Sequence, residues 1–176
     1  MRKITYIYIL SQRYSGSTLL SFLLATHPAI ATIGERRKFY NKTIRPDQQS
    51  GQQCSCGQSF QQCEYWTAIR DAVSNRLTPE QRNNNFTEFE LFNQRILNKI
   101  ADKLPQWGWF PNKRKQQYQA NLILVEEILK KAQKSVFLDS SKTYKQLRHL
   151  SQIDDFDFKV IWLSRDPRAQ VSSALK

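Results

Sequence analysis

One short stretch near the N-terminus constrains the fold more than any other part of the chain. Residues 4–10 are rich in β-branched and aromatic side chains and contain no breaker, which predicts a buried strand. Small and polar residues follow at 11–18, and residues 19–24 are almost all apolar. The apolar run predicts a helix that ends near Pro28, because proline disfavours helical backbone at the residue before it. The stretch is therefore predicted to fold as strand, tight loop and helix.

The loop of this stretch has the composition of an anion-binding turn. It holds Gly16 among small hydroxyl residues and leads directly into the predicted helix. Backbone N–H groups in such a loop, together with the positive end of the helix dipole, converge on one point and favour a phosphate or sulfate group. The loop is not a Walker A motif, because Ser17 and Thr18 follow the glycine and no lysine is present. A kinase or nucleoside triphosphatase is therefore disfavoured.

The charge of the chain favours anionic partners. Its 27 lysine and arginine residues against 15 acidic residues give a formal net charge of +12. The basic residues are dispersed and no nucleic-acid-binding module is recognisable, so we expect no nucleic-acid partner. No apolar run has the length of a signal-peptide core or a transmembrane helix, and we expect a cytoplasmic protein with no transmembrane segment. The length predicts a single domain, residues 1–176.

Helical and strand patterns alternate along the rest of the chain. Apolar residues recur at helical spacing over three segments: 64–76, 86–104 and 113–132. Short apolar runs predict buried strands at 135–139 and 158–163, and further helices are expected to begin near Tyr144 and at Pro167, with Asp166 as N-cap. Residues 34–62 lack periodicity and predict a long basic loop. Strands separated by helices indicate an α/β fold, a parallel β-sheet flanked by helices.

Polar residues follow each predicted strand. These clusters lie at 13–18, 139–142 and 164–168. Because the carboxyl ends of parallel strands meet at one edge of a sheet, the clusters are predicted to form a single anion site. Arg165 ends the third strand, and Ser173 follows eight residues later on the next helix. These two residues are predicted to hold a second phosphate away from the loop.

These motifs resemble those of sulfotransferases that use 3′-phosphoadenosine 5′-phosphosulfate (PAPS). The family's 5′-phosphosulfate loop is matched by Ser15, Gly16, Ser17, Thr18, Leu19 and Leu20, with His27-Pro28 and Gly34-Glu35 at the expected distances. Its second motif, which grips the 3′-phosphate, is matched by Arg165, Asp166, Pro167, Arg168, Ala169 and Ser173. Residues 139–142 resemble the segment that these enzymes carry between the two motifs.

The resemblance implies a P-loop NTPase-like sulfotransferase fold and transfer of a sulfuryl group from PAPS. The acceptor it implies is a hydroxyl or amine of a small molecule, glycan or lipid, and PAPS is a co-substrate with no metal required. The residues expected to bind the donor are Arg13, Tyr14, Ser15, Gly16, Ser17, Thr18, Arg165 and Ser173.

The chain departs from the family pattern at the catalytic cation. The family places a basic residue two positions before the loop glycine, where this chain has Tyr14, with Arg13 one position earlier. Arg13 and Lys142 are therefore alternative sources of the catalytic positive charge. For the base that takes the acceptor proton the resemblance implies Glu35, since similar enzymes acting on hydroxyls carry an acid at this Gly-Glu step. The alternative for Glu35 is a surface acid paired with Arg36 or its neighbour Arg37.

Related enzymes continue well beyond the second motif, whereas this sequence ends at Lys176. The resemblance therefore implies an incomplete domain. The alternative to an active enzyme is a truncated, catalytically inactive remnant that binds the nucleotide or another anion.

The cysteines of the chain lie close together, at Cys54, Cys56 and Cys63. An odd number of cysteines does not fit the disulfide framework of a secreted domain. Three thiols without a nearby histidine leave a zinc site one ligand short. We expect no metal there, and a packed or redox-labile loop instead.

Overall fold

The structure, a computed structural model, describes residues 3–36, 53–79, 81 and 111–175. The predicted helix over 86–104 lies outside the described residues, as does part of the predicted loop over 34–62. The described elements are β1 (Ile4–Ser11), α1 (Ser17–Ala25), β2 (Ile30–Thr32), α2 (Glu64–Arg76), α3 (Pro111–Ala132), β3 (Val136–Lys142), α4 (Tyr144–Leu150), β4 (Phe156–Leu163) and α5 (Pro167–Ala174).

The strands of the described region form one four-stranded, all-parallel sheet in the order β2-β3-β1-β4. β1 thus lies at the centre, between β3 and β4. Its last residues pair with the last residues of both neighbours, Leu10 with Lys142 and Ser11 with Leu163. The carboxyl ends of these three strands therefore lie side by side. The predicted α/β class with a parallel sheet flanked by helices is confirmed.

β1 is apolar because helices cover both faces of the sheet. Tyr6 and Tyr8 are fully buried on the face that packs against α2 and α3, while Ile9 packs with Leu138 on the face under α1. The two tyrosine hydroxyls stay paired in this core: Tyr6 donates to Asp139 Oδ2 at 2.7 Å, and Tyr8 donates to a backbone carbonyl. Burial, with the nearby Asp139 carboxylate, raises the pKa of both phenols.

Several predicted bounds agree with the structure. The helix predicted over 64–76 is α2, and the helix expected near Tyr144 begins there. Asp166 is the N-cap of α5, and its carboxylate accepts the backbone N–H of Arg168 at 2.8 Å. Pro167 occupies the first helical position of α5, as predicted from the sequence.

Two strand predictions need correction. β2 was not expected, because its three residues are too few to show a period. β3 runs on to Lys142, so Asp139, Ser140 and Ser141 lie inside the strand and are buried rather than forming a polar cluster after it. The strand can bury these polar residues because the Asp139 carboxylate has hydrogen-bond partners, including the Ser141 backbone N–H at 2.8 Å.

No helix in the described part of the chain combines the length and the apolarity needed to cross a bilayer.

Candidate functional site

The loop between β1 and α1 leads directly into the N-terminus of α1. Tyr14 and Gly16 both adopt left-handed conformations, with φ values of 59° and 88°. Gly16 is the N-cap of α1, and its carbonyl accepts the N–H of Leu20 at 3.0 Å, the first hydrogen bond of the helix. The N–H groups of the first helical turn have no acceptor within a helix, so they and the dipole are available to an anion. A Cβ at Gly16 would meet nothing within 4 Å, so lack of space does not require a glycine there. The positive φ is what favours glycine at this position.

Three hydroxyl oxygens at this edge of the sheet are buried without a partner among the described residues. They belong to Ser11, which ends β1, to Ser15 in the loop, and to Thr143, which follows β3. Buried polar atoms in native proteins are nearly always hydrogen-bonded to protein, water or ligand. Each of these three hydroxyls therefore has hydrogen-bonding capacity left for water or a polar ligand.

Arg165 joins the two sequence motifs. Its Nη1 donates to the carbonyl oxygen of Tyr14 at 2.9 Å and contacts Ser173 Oγ at 3.3 Å. Ser173 lies on α5, where its hydroxyl also donates to the Ala169 carbonyl at 2.9 Å. The guanidinium remains exposed to solvent. Arg165 is therefore a solvent-exposed cation that contacts both the anion-binding loop and α5.

Lys142 and Glu35 meet at the end of β3. The Lys142 ammonium lies 2.9 Å from Glu35 Oε1, and the side chains are 19% and 24% exposed. Lys142 has a φ of 70°, so the strand ends in a left-handed residue that turns the chain into α4. The other candidate cation, Arg13, is exposed in the loop. The structure thus brings together the lysine and the acid that the sequence singled out separately.

Arg36 is not a surface partner of Glu35, and Arg37, the other partner considered for Glu35, lies outside the described residues. Arg36 is fully buried, and its Nε lies 3.4 Å from Asp139 Oδ2 in the interior of the sheet. It also donates to Gln146 Oε1 at 2.9 Å and to Asn121 Oδ1. Its backbone N–H bonds to Asp139 Oδ1 at 3.4 Å, so both the side chain and the main chain next to Glu35 are fixed to β3.

Sequence reasoning did not find this buried network. The sequence predicts that Asp139 ends a strand, and it offers Arg36 only as a surface partner of Glu35. The sequence did contain one signal for the network, an acid at the end of an apolar strand pattern. A carboxylate buried in a sheet requires a cation or several hydrogen-bond donors, so such an acid predicts a buried partner. Nothing in the sequence identifies which of the 27 lysine and arginine residues supplies that cation.

The three cysteines form a second cluster, at the N-terminus of α2. Cys56 Sγ lies 3.6 Å from Cys63 Sγ, which in turn lies 3.5 Å from Cys54 Sγ. Partial burial raises the pKa of the Cys54 thiol, but hydrogen bonds from the Cys56 backbone and from the neighbouring thiols outweigh burial and lower that pKa to about 7. All three are free thiols.

Comparison with known proteins adds one finding. A family model described as "Sulfotransferase family" matches residues 7–176. The matched range contains the loop after β1, the Lys142–Glu35 pair and the Arg165–Ser173 contact. No curated protein and no solved structure gives a match.

Proposed function

The chain belongs to the sulfotransferase family, and from this premise we propose that it transfers a sulfuryl group from PAPS to a hydroxyl or amine acceptor. The observation that carries the proposal is the contact of Arg165 with the Tyr14 carbonyl and with Ser173. This contact connects the anion-binding loop to a second cationic group. Two separated anion subsites suit a nucleotide that carries phosphates at both its 5′ and 3′ positions.

The 5′ end of the donor is assigned to the loop after β1. The backbone N–H groups of residues 15–18, the hydroxyls of Ser17 and Thr18, and the dipole of α1 would bind the 5′-phosphate. Ser15 supports this assignment because its hydroxyl is buried and has no partner among the described residues. Arg13, exposed beside the loop, is the further cation of this subsite.

The 3′-phosphate of the donor is assigned to Arg165 and Ser173. A guanidinium presents several N–H donors in a fixed plane, so Arg165 retains donors for phosphate oxygens while one stays on the Tyr14 carbonyl. The Ser173 hydroxyl, 3.3 Å from that guanidinium, is close enough to share the same phosphate.

The proposed reaction is an in-line displacement at sulfur. The acceptor oxygen or nitrogen forms a bond to sulfur while the bond from sulfur to the 5′-phosphate oxygen breaks, and 3′-phosphoadenosine 5′-phosphate leaves. Glu35 takes the acceptor proton, and Lys142 stabilises the negative charge that develops on the bridging oxygen. Their separation of 2.9 Å supports this division of roles, because it places a proton acceptor and a cation side by side. Positioning and electrostatics supply the catalysis, with no step assigned to a metal.

The first test is binding of the product nucleotide. At about 100 times its dissociation constant, 3′-phosphoadenosine 5′-phosphate is expected to raise the melting temperature by roughly 5 to 10 °C. Arg165→Ala is expected to weaken binding by about 10- to 100-fold, because a charge-assisted hydrogen-bond pair to phosphate is lost. Thermal denaturation over a nucleotide titration measures both effects.

Lys159→Ala is the matched control for Arg165→Ala. Lys159 is an exposed cation on β4, the strand that precedes Arg165; it pairs with Asp157 at 3.1 Å, and its removal changes the net charge equally. We expect that variant to retain the nucleotide shift. Absence of any stabilisation in the unsubstituted chain would contradict the donor assignment. Stabilisation without transfer of labelled sulfate to phenol, sugar or amine acceptors would favour the nucleotide-binding remnant instead.

A comparison of two variants tests the choice of catalytic cation. Lys142→Met is expected to lower the transfer rate by about 100-fold, because its ammonium is the cation held beside the proposed base. Arg13→Ala is expected to have a smaller effect on the rate and to act mainly on donor affinity. Single-turnover rates at saturating donor separate the two effects, and a larger rate loss for Arg13→Ala would assign the catalytic charge to Arg13.

A further inference from the structure

The cysteine cluster lies on a tight turn next to α2. Gln53 and Ser59 form an antiparallel bridge across the base of this turn. Within it, the Cys54 N–H donates to the Gln58 carbonyl at 2.8 Å, and the Gly57 N–H donates to the Cys54 carbonyl at 2.9 Å. Gly57 has a φ of 85°, a backbone conformation that side chains rarely adopt. The turn is therefore folded tightly enough to present Cys54 and Cys56 on a fixed backbone.

The third thiol comes from the helix. Cys63 is the N-cap residue of α2 and is 3% exposed, and its carbonyl accepts the Thr67 N–H at 2.9 Å. The helix itself is anchored in the core through Ile69 and Val73. A fixed turn and a fixed helix end thus hold the three sulfur atoms together, all within 4.8 Å of one another.

The sulfur separations fit a metal ion. A tetrahedral zinc with sulfur ligands at about 2.3 Å sets its sulfur atoms about 3.8 Å apart. The 3.5 and 3.6 Å separations from Cys63 to Cys54 and Cys56 are close to that value. These separations are well above the S–S bond length of about 2.05 Å, so the cysteines are not joined in a disulfide and each sulfur atom can serve as a ligand.

We propose that Cys54, Cys56 and Cys63 bind one Zn²⁺ ion, which fastens the turn over residues 53–59 to the N-terminus of α2. Thiolate ligands select zinc among the common biological divalent cations. On binding, each coordinating thiol gives up its proton to solvent, the three sulfur atoms occupy three of the four tetrahedral positions, and a water molecule supplies the fourth ligand.

This zinc has a structural role, separate from sulfuryl transfer. The cysteines belong to a segment that the proposed reaction does not use, and no residue of the anion-binding loop or of the Lys142–Glu35 pair takes part. Metal binding would be coupled to folding of this segment.

Metal content and affinity test the proposal. The full chain, purified under reducing conditions without chelator, is expected to contain one equivalent of zinc. Titration of the metal-free chain with Co²⁺ is expected to give the absorption of a tetrahedral thiolate site, which Zn²⁺ then abolishes. Cys56→Ser is expected to weaken zinc binding by more than about 100-fold, measured by competition with a chromophoric chelator, because even outer partners of zinc ligands are worth 10- to 100-fold.

Ser55→Ala is the matched control, since it changes the same turn without removing a sulfur atom. Cys56 is exposed, so its replacement leaves the core intact, and circular dichroism verifies the fold of both variants. Equal zinc affinity in Cys56→Ser and Ser55→Ala would overturn the proposal. So would an unsubstituted chain that neither retains zinc nor gives the Co²⁺ spectrum, or one isolated under these conditions with two of its thiols oxidised to a disulfide.

Discussion

Asp139→Asn is expected to destabilise the protein by about 3 to 5 kcal/mol, because it removes the buried negative charge that pairs with the Arg36 guanidinium. Both side chains are fully buried, and the carboxylate also accepts the Tyr6 hydroxyl at 2.7 Å and the Ser141 N–H at 2.8 Å. The substitution keeps the shape of the side chain, so the loss is electrostatic rather than a packing defect. Denaturant unfolding monitored by tryptophan fluorescence and by circular dichroism measures the change in free energy of unfolding.

Asp157→Asn is the matched control for this substitution. Asp157 lies on β4 in the same sheet and pairs with Lys159 at 3.1 Å, but the two side chains are 47% and 60% exposed. A solvent-exposed pair contributes little, so we expect a change within about 0.5 kcal/mol. Equal unfolding midpoints for the two variants would show that the buried pair contributes no more than a surface pair.

A double substitution guards against simple failure of the single variant to fold. Adding Arg36→Met to Asp139→Asn removes the buried cation, while the amide oxygen at position 139 can still accept a hydrogen bond from Tyr6 or Ser141. The double variant is expected to recover part of the stability lost in Asp139→Asn. A double variant less stable than Asp139→Asn would mean that the buried Arg36 charge is not the main cause of the loss.

Glu35→Gln is expected to lower kcat/KM for sulfuryl transfer by about 100- to 10,000-fold, the usual contribution of a positioned general base. The amide cannot take the acceptor proton, yet it can still accept a hydrogen bond from Lys142. The change in folding stability is expected to stay below about 1 kcal/mol, because the pair is partly exposed. Transfer of labelled sulfate from PAPS is measured over a range of pH. The measurements give the rate and the acid limb of its pH profile, where the rate falls as the base becomes protonated.

Glu126→Gln controls for loss of an ion pair. Glu126 pairs with Arg76 at 2.6 Å on the helical face of the protein, and both side chains are partly exposed. This variant is expected to transfer at the unsubstituted rate. If Glu35→Gln retained both the rate and the acid limb of the pH profile, Glu35 would be a structural partner of Lys142 rather than a base.

The fold was predictable where local signals agree with the tertiary structure. The strand–loop–helix unit, α2 and the Asp166–Pro167 start of α5 combine period, caps and breakers within a few residues. The short β2 was missed because its strand character comes from pairing with β3 and not from its own three residues. The predicted β3 ended too early, at Asp139, because the burial of polar residues inside a sheet depends on partners elsewhere in the chain.

The same distinction applies to the candidate site. The carboxyl ends of β1, β3 and β4 lie at one edge because the strands are parallel, and that step needs no side-chain information. The Lys142–Glu35 and Arg36–Asp139 pairs could not be derived, since each joins residues more than 100 positions apart. Two neighbouring residues, Glu35 and Arg36, face different environments, and sequence alone does not say which of them is buried.

The hydrogen bond between Arg165 and the Tyr14 carbonyl has a consequence for the affinity of the proposed nucleotide site. An unrestrained arginine side chain loses up to about 2 kcal/mol of rotamer entropy when a ligand orders it. Here the guanidinium is hydrogen-bonded to the loop at 2.9 Å in the folded chain. Much of that ordering is completed during folding, so we expect the two proposed phosphate subsites to be preorganised at a fixed spacing and to select ligands by the distance between their charges.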